Sequence, residues 1–249
     1  MSISPVGPPG GAAPYSQPGL TPTPPVLPRV LRSPGGLANA VTVLLALMMA
    51  FDLFSIASDV NLHSLAGTLT ADGLVSISGD DADRAEVLVG VAALLQGLGF
   101  LATAVVFIIW FHRVRSNGEV FSPNGFNRGR GWAIGGWFIP FANIRIPYRI
   151  ARDTWAASTQ LAPDGSWRPL RTGIVTVWWI ALLADRVATE VTSQMFTGAE
   201  TPDALGDAAI GLSFSDALDI LAAVLAIRFV RRLTAMQHIK AVQGPVAAF

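Results

Sequence analysis

Along the chain, long apolar runs are separated by polar stretches, and the lengths of those runs carry the first inference. A helix needs about 20 apolar residues to cross about 30 Å of hydrocarbon. Four stretches reach that length. The first is 37–58, interrupted by Asp52, and the second is 87–111, where only Gln96 is strongly polar. The third, 172–193, is purely apolar only as far as Ala184 and needs Asp185, Arg186 and Glu190 to reach span length. The fourth, 208–229, carries Asp216 and Asp219. A further stretch, 131–150, has the length but not the character. Pro140 and Pro147 each remove a backbone donor, and Arg145 and Arg149 are costly in lipid. The pattern predicts an all-α fold: an integral membrane four-helix bundle over 37–232, with 131–150 re-entrant or interfacial on the cytoplasmic side.

The two ends read differently. Residues 1–36 hold ten of the 17 prolines, with Gly, Ser, Thr and Ala for most of the rest. Too little apolar surface is present to offset ordering entropy, so a disordered tail with polyproline-II character is expected. Pro25-Val26-Leu27-Pro28 fits a PxxP docking pattern, which leaves open a passive tether or a protein partner. No basic segment followed by a short apolar core opens the chain, so no cleavable leader is expected. Residues 233–249 read as a short cytoplasmic tail.

Composition narrows the class. Of the 249 residues, 51% are hydrophobic and only 14% charged, against about 25% charged in an ordinary soluble domain. Cysteine is absent, which excludes disulfides and thiolate sites. The histidines, His63, His112 and His238, are far apart, so neither a metal nor a cofactor is expected.

Net charge is zero, but the charges are sorted. Segments 1–36, 112–171 and 228–249 hold every basic residue except Arg84 and Arg186, and among acids only Glu119, Asp153 and Asp164. Segment 59–86 is acidic, and 197–207 carries only acids. Basic flanks stay inside, so four spans in the cell membrane with both termini cytoplasmic are expected. Were 131–150 to cross, Arg228, Arg231, Arg232 and Lys240 would fall outside. Trp110, Trp132, Trp137, Trp155 and Trp167 then form an inner aromatic belt.

Residues 110–158, WFHRVRSNGEVFSPNGFNRGRGWAIGGWFIPFANIRIPYRIARDTWAAS, resemble the signature of an actinobacterial membrane family known as domain of unknown function 4328. The resemblance rests on Trp110, Arg113, Asn117, Gly131-Trp132-Ala133, Trp137-Phe138-Ile139-Pro140, Asn143, Ile146-Pro147-Tyr148-Arg149 and Trp155. It extends over roughly 40–235. It implies a multi-pass membrane fold and no activity. Arg145 stands where the family pattern has an apolar or aromatic residue, which argues against deep insertion of 143–149.

Two groups of residues carry candidate chemistry. If 143–155 is helical, Arg145, Arg149 and Arg152 share a face. With Trp132, Trp137, Tyr148 and Trp155 they suit anionic lipid headgroups. Either anchoring alone or a lipid or anion pocket fits. The basic residues flank spans rather than forming a stacking platform, so nucleic acid is not an expected ligand. The second group is an intramembrane polar layer: Asp52, Gln96, Asp185, Arg186, Asp216 and Asp219. At about 1.5 Å per residue, Asp52, Gln96 and Arg186 lie about 21–22 Å from the cytoplasmic ends, with Asp216 near 17 Å and Asp219 near 12 Å. Arg186 is expected to pair with Asp52 or Asp216. Such a layer either fixes helix register or holds a proton, cation or small solute.

Gly97-Leu98-Gly99-Phe100-Leu101-Ala102 matches GxGxxA but lies mid-span, without the strand that a dinucleotide site needs. Gly90, Ala93, Gly97 and Gly99 are read instead as close-packing positions. No hydrolase, protease or nucleotide-binding motif is found, and no catalytic residue is assigned. The expected function is a non-enzymatic envelope protein engaging lipid or protein partners. The alternative is a small channel or transporter using the Asp/Arg layer.

Overall fold

The computed structural model describes residues 30–71, 79–166 and 168–246. The PxxP segment and Trp167 lie outside them. In order the elements are α1 (Gly35–Ala71), α2 (Gly79–Phe121), α3 (Trp132–Gly135), α4 (Ala142–Ser158), α5 (Gly173–Thr197) and α6 (Pro202–Gln243). No extended strand is found among the described residues, only an isolated bridge between Leu161 and Val246.

Three helices, α1, α2 and α6, are long and apolar enough to cross a membrane. Each outruns its predicted span. Hydropathy marks where lipid ends, whereas a helix continues wherever its backbone bonds are supported. Thus α6 starts on Thr201, whose side chain accepts a hydrogen bond from Ala204 N at 3.2 Å, with Pro202 in the first turn. It continues through the segment expected as a C-terminal tail. Gln237 in that segment is buried.

Neighbouring long helices run in opposite directions: Met48 meets Gly99 and Asp52 meets Gln96 between α1 and α2, while Trp178 meets Phe229 and Thr189 meets Ser215 between α5 and α6. Helix α1 packs between α2 and α6, and α6 between α1 and α5. Their outer faces are apolar: Val43, Leu47 and Leu53 on α1, Leu94, Leu98 and Leu101 on α2, and Ile180, Val187 and Val191 on α5 are exposed. Lipid is as apolar as these side chains, so cohesion between spans comes from close packing rather than water exclusion. Gly99 supplies one such contact, since a Cβ there would lie 2.6 Å from the Met48 sulfur. Gly90, Ala93 and Gly97 do not serve this way. All three are exposed, and nothing lies within 4 Å of a Cβ built at Gly90 or Gly97.

At the end where α1 begins and α2 finishes, the chain forms a helix–turn–helix unit. The segment 131–150 breaks after α3, at Phe138–Phe141, and α4 then lies against α2, α5 and α6. Phe141 adopts φ 60°, a left-handed conformation that costs a non-glycine residue about 1–2 kcal/mol.

The core at this end is aromatic. Trp178 stacks on Phe229 with centroids 4.5 Å apart, Trp155 stacks on Phe229 at 6.3 Å, and Trp137 meets Phe107, Phe111 and Trp179 edge-on. The predicted belt is therefore corrected. Trp110 and Trp155 are buried and face protein, not lipid. The reason is that their rings find aromatic partners worth about 0.5–1.5 kcal/mol per pair. The Trp110 indole also donates to Thr234 Oγ1 at 3.1 Å.

Candidate functional site

The polar interior is built from four helices. Asp52, Ser55 and Asp59 lie on the inner face of α1 and are all buried. Gln96 on α2 donates both amide hydrogens, one to Asp52 Oδ1 at 3.0 Å and one to Asp216 Oδ1 of α6 at 2.9 Å. Asp52 Oδ2 and Asp216 Oδ2 remain buried without a hydrogen-bond partner, as does Asp59 Oδ2. Asp185 of α5 is 1% exposed and both its oxygens lack hydrogen bonds. Asp185, Asp216 and Asp219 all lie within electrostatic reach of Asp52.

Arg186 does not close this layer. No ion pair links it to Asp52 or Asp216 among the described residues. Its side chain is 46% exposed, its Nε lies 3.5 Å from Asp185 Oδ2, and its guanidinium sits 4.6 Å from the Phe100 ring centroid on α2. Adjacent helical residues point about 100° apart, from 3.6 residues per turn. With Asp185 turned inward, Arg186 turns out. An amide therefore takes the bridging place that the sequence reading gives to the arginine. Carboxylates held by an amide, without a facing cation, repel one another unless a proton or cation joins them. Among the described residues no three His, Cys, Asp or Glu side chains are arranged to hold a metal ion.

The basic end has two layers. Arg145, Arg149 and Arg152 are exposed on α4, whose other side buries Ile146, Ile150 and Ala151. Arg152 lies 5.9 Å from the Tyr148 ring, Arg128 lies 5.1 Å from the Trp132 ring, and Tyr148 Oη and Thr176 Oγ1 are 3.0 Å apart. Trp132, Trp137 and Tyr148 are half-buried. Trp155 belongs to the core, so it is not a headgroup contact. Beside the arginines an apolar corner is exposed: Phe138 is 71% and Phe141 87% accessible, with Ile134, Ile139 and Ile144 around them.

Beneath this surface lies a layer that the sequence reading missed. Arg115 is fully buried at the end of α2. It pairs with Glu119 Oε1 at 3.0 Å, donates to Arg128 O at 2.6 Å, and has the Phe126 ring 3.6 Å away. Gly118 makes room for that ring, because a Cβ there would fall 2.8 Å from Phe126 Cζ. Arg130 shares Glu119. The i, i+4 spacing of Arg115 and Glu119 is a legible signal. The return of the 122–131 loop over Arg115 is not, because nothing local encodes it. Asp153 of α4 is half-buried here, and burial holds its carboxyl above the ordinary range, against the opposing pull of Arg152, Arg115 and Arg149.

A polar latch ties the ends together. Gln237 Nε2 donates to Val114 O at 2.8 Å and Ser158 Oγ at 3.1 Å. Lys240 Nζ donates to Ala157 O and Thr159 O at the C-terminus of α4, where carbonyls lack helical partners.

No curated protein and no solved structure matches the chain. Residues 74–235 do match a sequence family, described as Domain of unknown function (DUF4328), and they include α2 through most of α6. The chain belongs to the DUF4328 family.

Proposed function

We propose that this membrane protein is a four-span, non-enzymatic protein of the cell membrane. Both termini are cytoplasmic, and its basic end engages anionic lipid headgroups. One observation carries the reading: Arg145, Arg149 and Arg152 are exposed on one helix beside an exposed apolar corner. Such a surface suits the boundary between headgroups and acyl chains, where apolar burial and attraction to anionic lipid add. The fourth span is α5. At 25 residues it is roughly 37 Å long, enough for the hydrocarbon. Asp185 turned inward, with exposed Val177, Ile180 and Val191, supports that crossing. A protein partner for residues 1–36 remains part of this reading.

The test is lipid retention. The full chain is placed in nanodiscs of phosphatidylcholine mixed with phosphatidylglycerol, and retained lipid is counted by native mass spectrometry. Enrichment of phosphatidylglycerol that falls on R145A/R149A/R152A supports the reading. Equal retention by the native and triple-variant chains overturns it.

A second reading, a proton or cation path, is favoured by Gln96 bridging Asp52 and Asp216 while carboxylate oxygens stay unpartnered. Proteoliposome flux that disappears in D52N/D216N supports it. Unchanged flux removes it.

A further inference from the structure

The loop after α2 and the middle of α4 border a half-open cavity of about 290 Å³. Arg115 is on its lining, and the buried Arg115 guanidinium has an Nε without a hydrogen-bond partner. Exposed Arg128 and Arg149 stand on the lining with exposed Asn127, whose amide is able to donate. Phe126 and Ile150 supply the apolar part. The end of α2, the loop that follows it and α4 thus bring three arginines and an asparagine to one concavity.

Glu119, shared between Arg115 and Arg130, offsets only one of their two charges. The remaining acid on the lining is Asp153, with Arg152 among the charges acting on it. The balance around the cavity is positive. Guanidinium forks match phosphate oxygens, and a tetrahedral anion accepts from several directions at once, where a carboxylate accepts in one plane.

We propose that this cavity is a binding site for a phosphate group, carried either by a phospholipid headgroup or by a soluble phosphate. For its lipid source the inference rests on the headgroup reading above. Arg128 and Arg149 grip the phosphate oxygens, Asn127 donates a further hydrogen bond, and Arg115 Nε supplies positive charge from beneath. Asp153 opposes the anion and sets how tightly it is held.

The experiment separates the sources and the two readings. The full chain in uncharged detergent is titrated calorimetrically with sodium phosphate. In parallel it is placed in phosphatidylcholine nanodiscs containing phosphatidic acid, and bound lipid is counted per chain. A single saturable site is expected in at least one arm. R128A/R149A should weaken it about tenfold or more, as loss of charge-assisted hydrogen bonds implies. In the phosphate titration, R145A/R152A should leave it within about twofold, and D153N should tighten it. R128K/R149K keeps both charges but loses the forks, and still weakens binding if the alanine pair does not fold. Binding of phosphate alone assigns a soluble ligand, and binding of phosphatidic acid alone assigns the headgroup. If neither arm depends on Arg128 and Arg149, the cavity site is overturned. The headgroup reading then survives only if anionic lipid retention still depends on Arg145 and Arg152.

Discussion

Asn117 of α2 donates its side-chain amide to Gln237 Oε1 of α6 at 3.0 Å, in a fully buried contact. The same two residues reach Arg32, Val114 and Ser158. Two amides thus join the N-terminal approach, α2, α4 and α6. Each hydrogen bond has a buried partner that cannot turn to water.

Gln237→Leu should therefore lower stability by about 1–3 kcal/mol, the usual penalty for stranding a buried polar group. Asn117→Leu should cost a similar amount, and the double variant less than the sum, because residues in one network do not add. Unfolding of the four chains in detergent measures the cycle. Strict additivity would show that the two amides do not act together.

The outward turn of Arg186 leads to a rescue test. Arg186→Leu removes the cation beside buried Asp185, so stability should fall. Asp185→Asn should recover most of that loss, and Asp216→Asn should not. Thermal unfolding of the single and double variants reads the difference. Rescue by Asp216→Asn would instead place the arginine inside the layer.

Phe141 holds a left-handed backbone while its ring is 87% exposed. Phe141→Gly should raise stability in detergent by about 1 kcal/mol, through release of that strain. Insertion of the corner into lipid should weaken, as read by depth-dependent quenching of a fluorophore at Phe138→Cys. A fall in detergent stability would contradict the backbone argument.

Asp153 gives a pH dependence outside the spans. Its carboxyl titrates above the ordinary value of 3.8 in the folded chain. The folded state therefore binds its proton more tightly than the unfolded state does. The contribution is present in full below 3.8 and is lost as pH rises through the folded value. Asp153→Asn should raise the unfolding temperature at neutral pH and leave it unchanged at the acid end of the window. A gain of equal size at every pH would mean that burial of charge is not the cause.

The absence of cysteine permits a clean topology assay. Ser166→Cys, at the basic end, should react with an impermeant thiol reagent only after lysis. Ala82→Cys, at the acidic end, should react in intact cells. The reverse pattern would invert the orientation proposed above.

Hydropathy made the long helices legible, because lipid tolerates few polar groups over a fixed thickness. It reports depth well and rotation poorly. Asp52 and Gln96 fall at equal computed depth, and they do hydrogen-bond in the structure. Asp185 and Arg186 also sit at one depth, but one residue of helical rotation sends them to opposite environments. Helix ends were less legible, since beyond the apolar run α6 is held by Gln237 and Lys240, whose partners lie more than 75 residues away. The tryptophans misled for a related reason. Position near an interface does not say whether a ring faces lipid or another ring. Arg115 sits inside the family signature, but its role depends on a loop that folds back over it.

Arg32 is bound through its backbone to Asn117 by two hydrogen bonds, 3.1 and 2.8 Å long. That pairing makes the junction before α1 a mechanical coupling. A force applied at the N-terminal side meets α2 at Asn117 before it reaches α1. Whatever tugs on the leading segment must break this pair of bonds before the load passes to the first helix.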